Sequence, residues 1–446
     1  MSKTEIAGWG NYPRIEADVA NPSSETEVLA IQAKLQNFIP QGAKKSYGDA
    51  SLSENVISSL RLNQTIGFDN ENGIYTCRSG KMLNDVLDEI VPHGFFLPVT
   101  PGTKFITVGG AIGTDIHGKN HHKDGCFSEH LISLKIVLAN GSIKTCSRTE
   151  NPDLFWATCG GMGLTGFITE ASFKLKPIAT SKIVNRTIKC GNLNELVDAL
   201  FAHQDYTYSV SWIDYVTSGK NMGRSLLYLG EHASENEVPE PKLKGFKTPK
   251  PIIVLPFNFP SWSINPFTVK AFDELYYHKV LKRDSTAIVD IEPYFYPLDA
   301  VNNWNRIYGR KGFTQYQFVI GEEHAREGLS ELMREIVKSR TGSFIAVLKL
   351  FGEQNEGWLS FPRKGVTLTV DFGIKPEVLK LLDRLDDMIA EMDGRLYLAK
   401  DARMKPDMFA KGYPKLGQFK KLLSEIDPEG KFRSLQSDRL GITGHV

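Results

Sequence analysis

The sequence predicts an α+β protein of two domains, and three observations predict it. Its 446 residues exceed what one ordinary hydrophobic core organises. Short helical and short strand patterns are mixed along the first half rather than segregated. No GxGxxG follows a strand near the start, so a Rossmann nucleotide site is not supported.

Taken in order, Ser24 followed by Glu27 after Pro22 is a capping box, and Val28, Leu29, Ile31, Leu35 and Phe38 continue as an apolar stripe. Leu83, Val86, Leu87 and Ile90 repeat the helical period over 81–91, which stops at Pro92 and Gly94. Residues 132–145 read as a hairpin about Asn140-Gly141. Past Lys176-Pro177, residues 207–216 and 224–229 read as strands. Residues 232–270 are rich in proline and lysine and form one long candidate loop. It carries Ile252, Ile253, Val254, Leu255, Phe257, Phe259 and Trp262, and reads either as an irregular packed connection or as a lid that meets a lipid tail or membrane. A helix near 322–339, strands near 343–351 and 366–374, a helix at 377–393 ended by Gly394 and a strand at 395–399 complete a sheet with helices on one face.

Three loops carry the chemistry. Gln41-Gly-Ala-Lys-Lys-Ser-Tyr-Gly-Asp-Ala50 alternates small and polar residues. Pro101–His122 contains Gly109, Gly110 and Gly113, whose missing side chains let a backbone approach a ligand, with Thr107 and Thr114 as donors for phosphate oxygens. Asp153–Ile168 contains Phe155-Trp-Ala-Thr-Cys-Gly-Gly161. By itself each glycine-bearing run also fits a tight turn.

In that order the three segments resemble the flavoprotein oxidoreductases of the vanillyl-alcohol oxidase class, with their PCMH-type FAD domain. DIHGKNHH (115–122), WNRIYG (304–309), QYQFVI (315–320), LKLFG (348–352), LSFP (359–362), VDF (370–372) and RLYLAKDAR (395–403) are similar to the decaprenylphosphoryl-β-D-ribose 2′-oxidases over nearly the whole chain. The resemblance implies an FAD-binding domain over 1–178, a substrate domain over 179–394 and a return to the FAD domain over 395–446. It implies FAD held by Gly42, Lys45, Ser46, Tyr47, Gly48, Asp49 and Ala50 of the first loop. From the second loop and beyond it adds Gly102, Thr107, Val108, Gly109, Gly110, Thr114, Ile116, His117, Ile168 and Tyr397. The chain departs from the family where Lys44 replaces a glycine and Lys45 an arginine, which has a planar fork that lysine lacks. Members that attach FAD covalently use a histidine at the position of Lys45, so non-covalent FAD is expected here.

Oxidation of an alcohol needs a base for the hydroxyl proton. Lys400 is the first candidate, placed near the flavin edge by strand alternation from Tyr397; the plain alternative is a surface lysine paired with Asp401. His117 is the second, as base or orienting group, and Tyr47 stands with them. The resemblance puts Lys119, Tyr308, Gln315, Gln317, Lys349, Thr367 and Lys400 in the substrate pocket. Gln315 and Gln317 share a strand face by period two, and otherwise read as polar positions on a solvated sheet. Trp212, Phe351 and Phe361 read as core or pocket wall. Thr369 and Thr367 stand where related oxidases have a cysteine and an asparagine.

The balance of 53 basic and 52 acidic residues excludes an overall field for nucleic acid or an anionic membrane, and any anion site is local. Five scattered cysteines without metal spacing fit a reducing cytosol, and His121-His122 lacks partners for a metal. The N-terminus has no signal-peptide core and no run reaches the roughly 20 apolar residues a bilayer requires. The expected function is FAD-dependent oxidation of the 2′-hydroxyl of a polyprenyl-phosphoryl-β-D-ribose. By resemblance, an NAD(P)H-dependent short-chain reductase completes epimerisation to the arabinose donor. A cytoplasmic protein with peripheral membrane contact is expected. An oxidase of soluble sugars, alditols or aldonolactones is the alternative within the class, and a non-catalytic flavin-binding subunit is the alternative outside it.

Overall fold

The computed structural model describes residues 3–239, 243–260, 262–341 and 344–443. Two small sheets and one large one organise it. A four-stranded mixed sheet runs in the order Lys3–Ala7, Arg14–Ala20, Asn55–Ser58, Ile39–Gln41. A five-stranded antiparallel sheet follows, ordered Thr65–Asp69, Ile74–Arg78, Phe167–Lys174, Leu131–Val137, Ile143–Cys146. Its last two strands are the hairpin about Asn140-Gly141, where Gly141 takes φ +80. The helix Leu83–Ile90 buries all four of its periodic residues, and Gly94 at φ +81 turns the chain after it.

The large sheet is antiparallel throughout, ordered Asp284–Asp290, Lys182–Cys190, Ser225–His232, Tyr208–Ile213, Ala346–Phe351, Gly365–Gly373, Phe313–Ile320, Arg395–Leu396. Alternation splits its side chains cleanly. Leu227, Leu229, Phe318, Leu348, Leu368 and Val370 face the helices Leu193–Ala202, Glu327–Ser339 and Pro376–Glu391, whose Leu196, Leu332 and Leu385 are completely buried. Each such leucine contributes roughly 2 kcal/mol of transfer free energy. The other face, with Trp212, Gln317, Lys349 and Thr369, is turned toward the glycine-bearing loops.

Several expectations are corrected. Ser24 caps Glu25–Gln32 by accepting from the Glu27 N–H at 3.2 Å, but Glu27 reaches back to Ser23, and Leu35 and Phe38 lie beyond the helix end. The long stretch 232–270 contains a 3-10 turn at Glu235–Glu237, a strand Ile253–Val254 and the start of a helix, Pro266–His278; residues 240–242 and 261 lie outside the described ones. That helix packs on the sheet face opposite the other three, its Tyr276 ring 4.7 Å from that of Trp212. The expected start of a strand at 343 also lies outside the described residues, and the strand is Ala346–Phe351. The helix near 377–393 ends at Glu391, and Asp393 rather than Gly394 takes the left-handed conformation, at φ +52. The strand expected over 395–399 is Arg395–Leu396 alone, and Tyr397–Lys400 is a turn.

The last helices, Pro406–Gly412, Leu416–Ile426 and Leu435–Arg439, return to the N-terminal part. Phe432 pairs with Phe38, and the Leu435 N–H donates to the Leu52 carbonyl at 2.8 Å.

Candidate active site

A cavity of about 740 Å³ separates the glycine-bearing loops from the open face of the large sheet. On the loop side, Thr107 caps the helix Val108–Gly113 by accepting from the Gly110 N–H at 3.1 Å. A Cβ on Gly42 would stand 2.2 Å from the same hydroxyl, so glycine is required for the two loops to meet. Lys44 keeps, at φ +57, the left-handed conformation in which glycine is at ease. Lys45 Nζ lies 3.3 Å from the Trp9 ring centroid, and burial lowers its pKa to about 8 against the opposing pull of Asp299.

Gly42, Lys45, Ser46, Tyr47, Ala50, Gly102, Thr107, Gly109, Gly110, Thr114, Ile116, His117, Ile168 and Tyr397 all line the cavity. Gly48, Asp49 and Val108 do not. Gly48 packs so closely that a Cβ would meet the Asp401 carbonyl oxygen at 1.9 Å. Asp49 is held by Arg439 at 2.8 Å, and Val108 is fully buried behind the loop.

On the sheet side, strand alternation turns Gln315, Gln317, Lys349 and Thr369 into the cavity. Gln317 Nε2 donates to His117 Nε2 at 3.0 Å and to Thr367 Oγ1 at 3.3 Å. Thr367 therefore lies behind Gln317, outside the cavity wall, while Thr369 is in it. An acceptor role at Nε2 leaves the His117 proton on Nδ1, which is buried without a protein partner. Burial first, then Lys349, His121 and Lys400, hold His117 well below its ordinary pKa, so the ring is neutral. Phe351, Phe361 and Tyr397 pack around it at 4.8, 5.6 and 5.1 Å.

Lys400 sits on the turn after the short edge strand, with Nζ 3.9 Å from the Tyr47 ring centroid. Burial lowers its pKa to about 7, with Asp371 opposing and Lys349 assisting. Asp401 is not its partner: that carboxylate binds Arg439 at 2.8 Å and the Arg403 and Met404 N–H groups. Three hydrogen bonds to or from its main chain fix the turn. The Tyr397 N–H donates to the Gln317 carbonyl at 3.0 Å, the Tyr47 N–H to Ala399 at 2.8 Å, and Gln436 Nε2 to Leu398 at 2.8 Å.

Sequence reasoning did not single out Asp371, which the structure places on the same face. Gln315 Nε2 donates to its Oδ1 at 2.6 Å and Tyr308 Oη to its Oδ2 at 3.1 Å. Burial raises its pKa to about 7 despite these bonds and Lys400. Tyr308 does not line the cavity; it stacks on Phe313 at 4.1 Å. Period-two reading from Thr367 and Thr369 through the VDF segment would have found this carboxylate. Burial likewise lowers Lys349 to about 8, and burial with Lys349 lowers Lys119 to about 7. Lys119 Nζ donates to the Tyr294 carbonyl, 4.3 Å above that ring. Burial, followed by Asp371, keeps the Tyr47 phenol protonated.

Six buried polar atoms without protein partners belong to residues that line this cavity: Gln41 Oε1, Ser79 Oγ, His117 Nδ1, Asn185 Oδ1, Trp212 Nε1 and Tyr294 Oη. Buried polar groups are ordinarily paired, so these are groups a ligand satisfies. The glycine cradle with Lys44 and Lys45 fits a pyrophosphate, and the cavity is large enough to continue over the sheet face to a second ligand. His121 and His122 face backbone groups of Gly352 and Tyr206, at 3.1 and 2.8 Å.

A family model described as an FAD binding domain matches residues 17–147. The chain is 34% identical, over 99% of both sequences, to a decaprenylphosphoryl-β-D-ribose oxidase of Mycolicibacterium smegmatis. An uncharacterized protein of Streptomyces coelicolor is 29% identical over 81% of this chain and the whole of its own. A D-lactate dehydrogenase of Anaerostipes hadrus is 31% identical over 42% of each chain.

Proposed function

The chain belongs to the family of the decaprenylphosphoryl-β-D-ribose oxidases, and on that premise we propose that it oxidises the 2′-hydroxyl of a polyprenyl-phosphoryl-β-D-ribose to the 2′-keto sugar. It is an FAD-dependent oxidoreductase. The observation that carries the reading is the convergence of Lys400, Lys349, Gln315 and Gln317 on one cavity face beside the FAD loops.

Bound FAD supplies the acceptor for the hydride that leaves the sugar carbon. Lys400, half neutral near pH 7, takes the hydroxyl proton. Asp371 supports the resulting ammonium from behind Gln315, and Tyr47 holds it from the ring side. Gln315 and Gln317 read sugar hydroxyls, His117 offers its Nδ1–H as a neutral donor, and Lys349 and Lys119 meet the phosphate. The stretch 41–50 has neither histidine nor cysteine, which supports FAD held without a covalent bond. The returning helices and the ties of the Lys400 turn support a discontinuous FAD domain, 1–178 with 395–446, around a substrate domain over 179–394. A ketone product calls for an NAD(P)H-dependent reductase to give the arabinose epimer of the cell envelope. The lipid-linked substrate calls for peripheral contact with the cytoplasmic membrane face.

Anaerobic addition of farnesylphosphoryl-β-D-ribose, beside soluble alditols and aldonolactones, tests the reading. Bleaching of the flavin band by the lipid-linked ribose alone is expected. Bleaching by the soluble polyols instead, or by nothing, overturns it.

A further inference from the structure

Eleven of the fifteen exposed large hydrophobic side chains among the described residues fall between 252 and 298. A soluble surface ordinarily scatters such side chains singly. Here Ile252, Trp262, Phe267, Leu275 and Leu281 are each 75% exposed or more.

The charge on the same stretch has one sign. Between 243 and 283 stand Lys244, Lys247, Lys250, Lys270, Lys279, Lys282 and Arg283, against Asp273 and Glu274. Asp273 is buried, Glu274 is taken by Arg224 at 2.8 Å and Arg283 by Glu195 at 2.9 Å, and Lys279 lines the cavity, which leaves Lys244, Lys247, Lys250, Lys270 and Lys282. The outward face is therefore apolar and cationic.

This face is continuous with the cavity. Ile253–Val254 pairs in parallel with Val301–Asn302, and both residues of the partner strand line the cavity. On the helix Pro266–His278, Phe272 and Tyr276 line the cavity while Phe267 and Leu275 stand in solvent. Phe272 also packs against Phe344 at 5.2 Å, so the cavity end nearest the patch is aromatic.

We propose that the rim formed by residues 252–260 and 262–283 is a docking face for an anionic lipid bilayer. Trp262, Phe267 and Leu275 enter the boundary between head groups and acyl chains, and the lysines lie among lipid phosphates. Lysine interleaved with exposed aromatic residues fits a membrane surface; cores of protein interfaces are depleted in lysine. Among the described residues no helix is long and apolar enough to cross a membrane, so the contact is at the surface. The inference deepens the peripheral contact proposed above, yet its test needs no turnover.

The test is co-sedimentation of the full-length holoprotein with vesicles of phosphatidylcholine alone and of phosphatidylcholine mixed with phosphatidylglycerol. Binding to the anionic vesicles is expected, weakened by high salt and reduced about tenfold or more by Phe267→Glu with Leu275→Glu. Flavin content and unfolding midpoint of that variant should match the parent. The proposal is overturned if the parent stays in the supernatant, or if the variant binds equally well. Light scattering that shows a dimer split by the same variant also overturns it, since the face then belongs to a second copy. Failure of the ribose substrate to bleach flavin would leave vesicle binding untouched, so the two readings fail separately.

Discussion

If Lys400 is the base, the rate of flavin reduction follows its neutral form. With its pKa lowered from 10.5 to about 7, burial has shifted the lysine equilibrium by roughly 5 kcal/mol. A base must be deprotonated to act, so kcat/KM rises with pH. About a tenth of the lysine is neutral at pH 6 and about nine-tenths at pH 8, giving a roughly tenfold rise between them. The lipid-sugar phosphodiester does not titrate in that window. Asp371 also titrates near pH 7 and opposes the lowering of Lys400, so the limb belongs to the pair. Asp371→Asn retains groups for Gln315 and Tyr308 but removes the charge, and should move the limb down by about one unit. Stopped-flow anaerobic reduction with farnesylphosphoryl-β-D-ribose from pH 5.5 to 9 measures this. Lys400→Met should lose the limb and about 10²-fold or more in rate. A flat profile between pH 6 and 8 in the parent, or the same limb in Lys400→Met, would refute the assignment.

Gly42→Ala drives a methyl to 2.2 Å from Thr107 Oγ1, and purified protein should carry several-fold less FAD by its absorbance ratio. Lys44→Gly relieves a left-handed lysine and should stabilise the protein by about 0.5 kcal/mol, whereas Lys44→Val should destabilise it, read by chemical unfolding. Arg439→Ala leaves Asp49 and Asp401 buried without their shared cation and should cost about 3 kcal/mol, seen as a lower unfolding midpoint. Gly48→Ala, with its Cβ 1.9 Å from the Asp401 carbonyl, should reduce both stability and turnover because it pushes on the turn that carries Lys400.

Local signals were legible where one short-range rule decides the conformation. The Asn140-Gly141 hairpin, the buried stripe of Leu83–Ile90 and the shared face of Gln315 and Gln317 need only turn chemistry and periodicity. Lys400 was reached by resemblance, while the strand alternation offered for it does not exist, because tertiary bonds from Tyr47, Gln317 and Gln436 hold those residues in a turn. The helix Pro266–His278 was hidden inside a proline-rich run, and its inward residues are mostly aromatic and polar, chosen by contact with Trp212 and Arg224. The strands Lys3–Ala7 and Arg14–Ala20 are largely uncovered and so carry no alternation to read. Asp371 shares a face with Thr367 and Thr369 by period two, but its burial against Gln315 and Tyr308 is a product of two strands and the 3-10 helix Trp304–Tyr308 meeting.

The turn that carries Lys400 is bonded at once to the large sheet through Gln317, to the loop 41–50 through Tyr47 and to the C-terminal helices through Gln436. Such a clasp acts as a pivot. The elements it joins cannot part there without breaking these bonds, so the position of Lys400 against the loop 41–50 is insensitive to breathing motions. The cavity is also rimmed by Phe272 and Tyr276 of the helix Pro266–His278 and by the strand Val301–Asn302, which pairs with Ile253–Val254. Changes selected for a new sugar or a new lipid tail can accumulate along that rim and the sheet face without retuning the proton transfer.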